Sequence, residues 1–459
     1  MAKNSFSSLS CQLNKLKNEG FSSALPQSLV TDVIRQLNIS FRQRIFTPFL
    51  TLYAFIYQCL EDDSSCRRTV AHLLVFLSKT QKKILSPSTG SYCKARKRLP
   101  LKFFSTVATK LCEHMCTQIK PEWEWKHGVV KVVDGTGFVV ADTKENLKRF
   151  QRHNSWNKKH LDSGFPMGRL LTVFSFATGG VLDLAISSYK GKGSGELSLI
   201  HQLWHCFKPG ETLLGDCLFS SYSVVAAAMT RNIHVVGEFR PSRMRHLNKR
   251  NIDQIISLKK GIKPLSMPQK IYNTLPEIIA VRIIKVQCAP SGFRPKTKWL
   301  ITTHLDKNVV PADDIASIYR QRWQAELNFR SIKTVLNLDF INAKSPDMVE
   351  KQIWTHMITY NLIRLRMVEA GIIGKKLPVF LSFRAAQQIT IEVLNKNRPQ
   401  HDDIFLIYLF VLAYPVGNRP GRYEPRVIKT RKKNFSFLRE PRNIARQSLH
   451  KKWTGKAPG

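Results

Sequence analysis

One helical stretch of the sequence combines a single carboxylate with several cations. In "IYRQRWQAELNFRSIK", Glu326 stands four residues from Arg322 and four from Arg330. At about 100° per residue, an α-helix brings four of its polar side chains into one narrow arc: Tyr319, Arg322, Glu326 and Lys333. This arrangement suits an active site for a polyanion, with the cations on its phosphates. The alternative is a surface helix whose i, i+4 ion pairs add about 0.2–0.5 kcal/mol each.

Apolar residues border this polar stripe on both sides, which a simple amphipathic surface helix does not show. One flank comprises Ala325, Phe329, Ile332 and Leu336, and the other comprises Trp323 and Leu327. We therefore predict that the helix is buried on both sides and that its polar stripe faces a cleft.

Two aspartates follow apolar runs that are typical of strands. Asp134 comes directly after "VVKVV", and Asp216 comes after "LLG". A carboxylate at a strand end is held rigidly at the edge of a sheet, where functional side chains often lie. An Asp next to Gly is also an ordinary turn former, so each aspartate alone has two explanations.

The composition predicts a polyanionic partner. The 459 residues include 72 Lys and Arg against 32 Asp and Glu, a net charge of +40. Such an excess favours DNA or RNA binding, because each cation on a phosphate releases counterions. The hydrophobic fraction of 43% is that of a globular protein, here with two to four domains.

The cysteines and the apolar runs predict a soluble protein of a reducing cytoplasm. Nine scattered cysteines do not suggest a disulfide scaffold. The longest apolar runs, residues 46–60 and 404–416, are shorter than the roughly 20 residues of a membrane span, so we expect buried helices. Two Cys/His groups lack zinc-site spacing and favour helix packing: Cys112 and Cys116 with His114, and Cys206 with His201 and His205.

Periodicity predicts an α/β protein with a mixed sheet. Residues 27–120 have helical spacing, and Arg96 and Arg98 lie in a short basic segment that is either a DNA-recognition helix or a solvated helix. Residues 128–143 and 169–189 each read as two strands around a Gly-containing turn. A helix (195–207), a strand at "TLLGD" and a helix (220–231) follow.

The second half of the chain alternates between strand and helix signals. Residues 237–300 indicate a β-rich insertion, and helices return at 313–336 and 346–370. The last forty residues are dense in Arg and Lys, so we expect an arm that contacts nucleic acid. The loop "SYKGKGSGE" matches neither nucleotide-binding fingerprint.

The spacing Y-x2-R-x3-E-x6-K resembles the signature of bacterial insertion-sequence transposases of the DDE type. The likeness extends to "VVDGTGF", "ATGGVLDLAISSYKGKGSGE", "LLGDCLFSSY" and "VEKQIWTHMITYNLIR", and it covers roughly residues 90–385. It implies an RNase H-like mixed sheet with flanking helices and a β-rich insertion between the second Asp and the Glu. Cys217 departs from the family, in which relatives often carry Arg after this Asp.

The resemblance also implies site residues. The catalytic and metal-binding triad corresponds to Asp134, Asp216 and Glu326, which would hold two Mg²⁺ ions, with Mn²⁺ as a substitute. The signature's DNA-contacting side chains correspond to Tyr319, Arg322 and Lys333. The remaining DNA-binding candidates, from charge alone, are Arg330, Arg96 and Arg98.

These features together predict a domain order and a function. We expect a helical DNA-binding region (1–125), a core in two parts (126–236 and 301–375), the insertion (237–300), and C-terminal helices with a basic tail (376–459). The expected function is cut-and-paste transposition at the nucleoid, by a homodimer that binds terminal inverted repeats and target DNA. The alternatives are a catalytically silent DNA-binding derivative and an RNase H-like nuclease without strand transfer.

Overall fold

The fold is a mixed α/β structure built around one large sheet. A computed structural model describes residues 26–42, 44–78, 86–152, 164–240, 247, 250–288, 296–395, 401–416, 443, 444 and 446–448. The predicted basic arm therefore lies almost entirely outside the described residues. The sheet has nine strands, β1 (Val130–Val140), β2 (Met167–Ser175), β3 (Val181–Ser188), β4 (Thr212–Leu214), β5 (His234–Glu238), β6 (Asp253–Lys259), β7 (Ile278–Cys288), β8 (Lys296–Thr302) and β9 (Phe340–Ile341).

Fourteen α-helices are present in the described part of the chain. They are α1 (Gln27–Gln36), α2 (Pro48–Leu60), α3 (Cys66–Ser78), α4 (Gly90–Arg98), α5 (Leu101–Cys116), α6 (Lys144–Arg149), α7 (Glu196–Leu199), α8 (Tyr222–Met229), α9 (Gln269–Asn273), α10 (Ala312–Gln321), α11 (Trp323–Arg330), α12 (Pro346–Gly374), α13 (Phe383–Asn395) and α14 (His401–Ala413).

The strands are ordered β3-β2-β1-β4-β5-β8-β7-β6, and β9 also pairs with β1. Strand β2 is antiparallel to both of its neighbours, β1 and β3, whereas β4 runs parallel to β1 and to β5. Both faces of the sheet are buried. Successive side chains of a strand point to opposite faces, so neighbouring residues of β1 belong to different cores. Val132 packs into a core that includes α11 and α12, and Val133 packs into a second core that includes α7 and α8.

A gap on one edge of β1 positions the site described below. Strand β4 pairs with β1 only as far as Val132, and β9 joins the same edge at Val139. Among the described strands, none pairs with the stretch between them on that edge. Side chains that follow β4 or precede β9 therefore reach the middle of β1.

Of the two Gly-containing turns predicted between strands, the first is absent and the second is present. Within the segment 128–143, residues Val130–Val140 form one continuous strand, β1, so the prediction of two strands there was wrong. Gly135 keeps an ordinary backbone conformation and serves close packing, since a Cβ at this position would lie 2.4 Å from the Glu196 Cδ. The turn within 169–189 is confirmed, because β2 and β3 pair on either side of Gly179, whose φ is +69°.

Segments predicted as long helices are interrupted. Residues 195–207 form only the single turn of α7 and two 3₁₀ turns. The stretch 313–336 is divided into α10 and α11, which meet at Arg322, and a π-helical turn follows at Ser331–Val335. Trp323 is 56% exposed and Leu327 is 39% exposed, so the prediction that both flanks are buried was wrong. This flank directly follows the break between α10 and α11 at Arg322.

Helix α12 joins the two ends of the chain in one core. It is buried along nearly all of its length and packs against α5, α2 and α14. The same cluster contains Phe55 of α2, Phe104 of α5 and Tyr408 of α14. Both long apolar runs thus form buried helices, and among the described helices none is long and apolar enough to cross a membrane.

Strands β6, β7 and β8 extend the main sheet through the β8–β5 pairing. Arg282 of β7 is fully buried and donates to both carboxylate oxygens of Asp253, at 2.8 and 2.7 Å. It also donates to the Val310 carbonyl at 2.6 Å, which ties the added strands to the chain leading into α10.

We expect Asp253→Ala to lower the free energy of unfolding by about 3–5 kcal/mol, because it leaves the Arg282 guanidinium buried without its carboxylate. Lys307→Ala is the matched control. Lys307 lies 3.6 Å from the Asp253 carboxylate, donates to the Asp253 backbone carbonyl at 2.8 Å and is 48% exposed, so its loss should cost less than about 1 kcal/mol. Urea unfolding measures both, and equal costs would contradict the role given to Arg282.

Candidate active site

Asp134 lies in the gap along β1. Its Oδ1 accepts a hydrogen bond from the Gly135 backbone N–H at 2.9 Å. The side chain lines a shallow cleft of about 340 Å³ together with Gly135, Thr136, Glu326, Phe329, Arg330, Lys333, Thr334 and Asp339. The fold thus brings two of the three predicted carboxylates, Asp134 and Glu326, to one cleft with two of the predicted cations.

Asp216 follows β4 at the same end of the sheet. Its Oδ1 accepts from the Leu218 N–H at 2.8 Å, which closes a tight turn after the strand. Asp216 does not line the 340 Å³ cleft, but its charge acts on Asp134. The parallel pairing of β4 with β1 explains this proximity. Leu214 is paired with Val132, and Asp216 and Asp134 each follow their paired residue by two positions.

The cleft disfavours negative charge on Asp134. Burial, with a further contribution from the charges of Asp216 and Glu326, raises the pKa of Asp134 to about 6. The Gly135 N–H and the Arg322 guanidinium act in the opposite direction without compensating fully. Clustered carboxylates of this kind are stabilised by a bound cation.

Arg322 connects the two carboxylates of the cleft. Its Nη2 donates to Glu326 Oε1 at 2.9 Å across one turn of α11. Burial alone would lower the pKa of Arg322, but Tyr319, Glu326 and Asp134 outweigh it and raise this pKa. The i, i+4 ion pair considered from the sequence is therefore present, and it lies at the cleft.

Tyr319 points inward rather than into the cleft. The side chain is 5% exposed, and its hydroxyl donates to Glu238 Oε2 at 2.8 Å. Lys298 of β8 donates to the same oxygen at 2.6 Å. Glu238 at the end of β5 thus anchors α10, which leads into the helix that carries Glu326.

The other predicted cations divide into exposed and internal groups. Arg330 is exposed at the cleft, and Lys333 Nζ lies 2.9 Å from Asp339 Oδ1. Arg98 is exposed and lines a separate cavity of about 510 Å³ with Arg42 and Arg44.

The structure does not present Arg96 to DNA, contrary to the prediction. Arg96 is 7% exposed, donates to Gln58 Oε1 at 3.1 Å and to Cys66 Sγ at 3.0 Å, and lies over the Phe55 and Tyr92 rings. Its guanidinium is thus held inside the helical core through Nη1 and Nη2, while its Nε is buried without a hydrogen-bond partner.

No motif in the sequence identifies three further residues of this region. Glu238 and Lys298 come from different strands, and only the fold joins them. Glu196 packs against Gly135, next to Asp134. Its one signal in the sequence is that it is the sole carboxylate in the basic, Gly-rich segment "SYKGKGSGE".

Asp134→Asn should stabilise the metal-free protein. A carboxyl whose pKa rises from 3.8 to about 6 on folding favours the folded state only below these values. That contribution is lost as the pH rises through about 6, so the variant should gain up to about 3 kcal/mol at pH 7 and nothing near pH 4.

Urea unfolding in EDTA at several pH values measures this gain. Asp62→Asn, at an exposed position, is the control and should change little. An Asp134→Asn protein that is no more stable than the wild type at pH 7 would contradict the electrostatics described here.

The chain is similar to insertion-sequence transposases. It is 23% identical to the transposase InsG of element IS4 from Escherichia coli K12, over 72% of each chain. It is 36% identical to the putative transposase InsL of element IS186A from the same organism, over 14% of this chain and 17% of InsL. Among solved structures, a cryo-EM piggyBac transposase synaptic complex with hairpin DNA matches 81% of this chain at 10% identity and a TM-score of 0.41.

One family matches the region that contains all three carboxylates. Residues 125–362, more than half of the chain, match the family described as "Transposase DDE domain". This range begins just before β1 and ends within α12, so it includes the cleft and the added strands. The chain belongs to the DDE transposase family.

Proposed function

We propose that this transposase cleaves DNA at the terminal inverted repeats of an insertion sequence and joins the released ends to target DNA, by a cut-and-paste route. The observation that carries the proposal is the cleft itself. Asp134 and Glu326 line it beside Arg330 and Lys333, and Asp216 is close enough to act on Asp134. A cluster of carboxylates beside cations suits a phosphodiester together with divalent metal ions.

The fold supports an RNase H-like core for this site. A mixed sheet with helices on both faces is what the resemblance to DDE transposases implies. We assign the core to residues 126–236 and 301–375, with 237–300 as the insertion, although β6, β7 and β8 continue the same sheet. Residues 1–125 and 376–459 would be the DNA-binding and C-terminal regions.

The residues of the site fit Mg²⁺. Asp134, Asp216 and Glu326 offer hard carboxylate oxygens, and the raised pKa of Asp134 shows that the described surroundings leave its negative charge incompletely neutralised. We propose that these three side chains hold two Mg²⁺ ions, for which Mn²⁺ can substitute. When bound, the ions would polarise the scissile phosphate and acidify the attacking hydroxyl group.

The protein side chains then have distinct tasks. Arg322 orients Glu326 through their 2.9 Å contact. Arg330 and Lys333 line the cleft, where they would hold the DNA phosphates. The same site would serve two attacks on phosphorus: by water at the element end, and then by the released 3′-hydroxyl on target DNA.

The partner is DNA, and we propose that a homodimer at the nucleoid brings two element ends together. A net charge of +40 supplies the attraction, which weakens as salt rises. Arg98 with Arg42 and Arg44 forms a second basic surface, in the N-terminal region, for the same polyanion.

Asp134→Asn and Glu326→Gln should each abolish Mg²⁺-dependent nicking of a terminal-repeat duplex, by at least about 10³-fold, while they retain DNA binding. A gel assay with labelled DNA measures nicking, and a binding assay checks affinity. Full nicking by either variant would overturn the site. A wild-type protein that binds without nicking would instead be the silent derivative, and nicking without strand transfer would indicate a nuclease.

Lys333→Ala should weaken DNA binding and reduce the salt dependence of log Kd by about one charge, because a phosphate contact is lost. Tyr319→Phe should leave both unchanged, because its hydroxyl is already held by Glu238. It should instead cost about 1–2 kcal/mol of stability. Salt titrations of binding test the pair, and a Tyr319→Phe defect that matches that of Lys333→Ala would restore Tyr319 as a DNA contact.

A further inference from the structure

Glu196 is a carboxylate beside the candidate active site that the triad does not include. It is the first residue of α7, directly after the Gly-rich loop that follows β3. Its carboxyl group lies against the backbone next to Asp134. A Cβ on Gly135 would stand 2.4 Å from the Glu196 Cδ and 2.6 and 2.8 Å from its oxygens. Only glycine at position 135 accommodates the carboxylate there.

Glu196 and Glu326 approach β1 from opposite faces of the sheet. Leu199 of α7 belongs to the core that contains Val133, whereas Ala325 of α11 belongs to the core that contains Val132. The middle of β1 therefore lies between two helices that each carry a glutamate. Burial raises the pKa of Glu196, and the charges of Asp216 and Asp134 act on it in the same direction.

The ion pairing of Glu196 is weak for a half-buried carboxylate. The Nε of Arg169 lies 3.9 Å from Glu196 Oε1, which is beyond hydrogen-bond length. Arg169 also donates to the Ser194 carbonyl at 3.2 Å and stacks on the Tyr189 ring at 5.0 Å.

Three other half-buried or buried glutamates of the described chain have much closer cations, although Glu124 is half-buried without an ion pair. The distances are 2.5 Å for Glu211 with Lys131, 2.5 Å for Glu369 with Arg366, and 2.6 Å for Glu238 with Lys298. A carboxylate placed among two others with so distant a counter-ion has the chemistry of a divalent-cation ligand.

We propose that Glu196 is a fourth ligand of the active-site metal ions, acting with Asp134 and Asp216 on the side of the cleft opposite Glu326. This inference rests on the proposed function. The competing role is structural, in which Glu196 only balances the charge of Arg169.

Metal binding by the full-length protein without DNA separates the two roles. Mn²⁺ is titrated calorimetrically into the wild type, Glu196→Gln, Asp134→Asn and the control Glu113→Gln, whose side chain is exposed on α5. Glu196→Gln should weaken Mn²⁺ binding at least about tenfold, the loss typical even of residues that only support metal ligands. Glu113→Gln should bind as the wild type does.

Stability in EDTA provides a readout that does not depend on metal. Glu196→Gln removes one of several mutually repelling carboxylates, so its Tm without metal should equal or exceed that of the wild type, while its Mn²⁺-induced rise in Tm should shrink. Arg169→Gln keeps the carboxylate and should retain Mn²⁺ binding. A lower metal-free Tm for Glu196→Gln, together with an equal loss of Mn²⁺ affinity in Arg169→Gln, would identify the structural role and overturn the proposal.

The Asp134→Asn arm distinguishes failure of this inference from failure of the proposed function. If Asp134→Asn weakens Mn²⁺ binding and Glu196→Gln does not, the fourth ligand is overturned and the triad stands. If neither substitution changes Mn²⁺ binding, both the fourth ligand and the metal site of the proposed function are overturned.

Discussion

The burial of neighbouring carboxylates governs the centre of this protein: burial first, and then repulsion between like charges, raises the pKa values of Asp134 and Glu196. Asp134, Asp216, Glu326 and Glu196 are drawn from four separate segments to one part of β1, and the sheet gives them no freedom to separate. The unpaired stretch of β1 between its contacts with β4 and β9 makes room for them, so the strand order determines where the carboxylates cluster. Arg322 pairs with Glu326 at 2.9 Å, yet the pKa of Asp134 stays raised, so this cation does not fully offset the cluster.

The basic residues around this cluster serve two different purposes. Arg322, Lys298 and Arg96 are paired with internal partners and hold elements of the fold together. Arg330 and Arg98 are exposed, and they remain available to a polyanion. A sequence motif does not distinguish internally paired cations from exposed ones. Side chains three and four residues apart share a helix face, whether that face is buried or exposed to solvent.

Much of the site was predictable from the sequence, because its strongest signals are local. An apolar run that ends in Asp134, or a Glu between arginines at helical spacing, can be read within ten residues. Two features have no such local signal: the break between α10 and α11 at Arg322, and the continuation of β1 through Gly135. The second depends on packing with a distant residue, Glu196. Periodicity cannot show such contacts. It therefore predicted a turn near Gly135, where β1 continues, and one long helix over 313–336, where the helix is interrupted at Arg322.

The pairing of β9 with β1 sets the order in which the protein can mature on the ribosome. Val139 and Phe340 are partners although about two hundred residues separate them, and α12, which follows, completes the core of the N-terminal helices. At a synthesis rate of about 5–20 residues per second, β1 is made roughly 10–40 s before β9 can join it. A nascent chain therefore has neither a closed cleft nor a fully packed N-terminal helical core until β9 and α12 have been made.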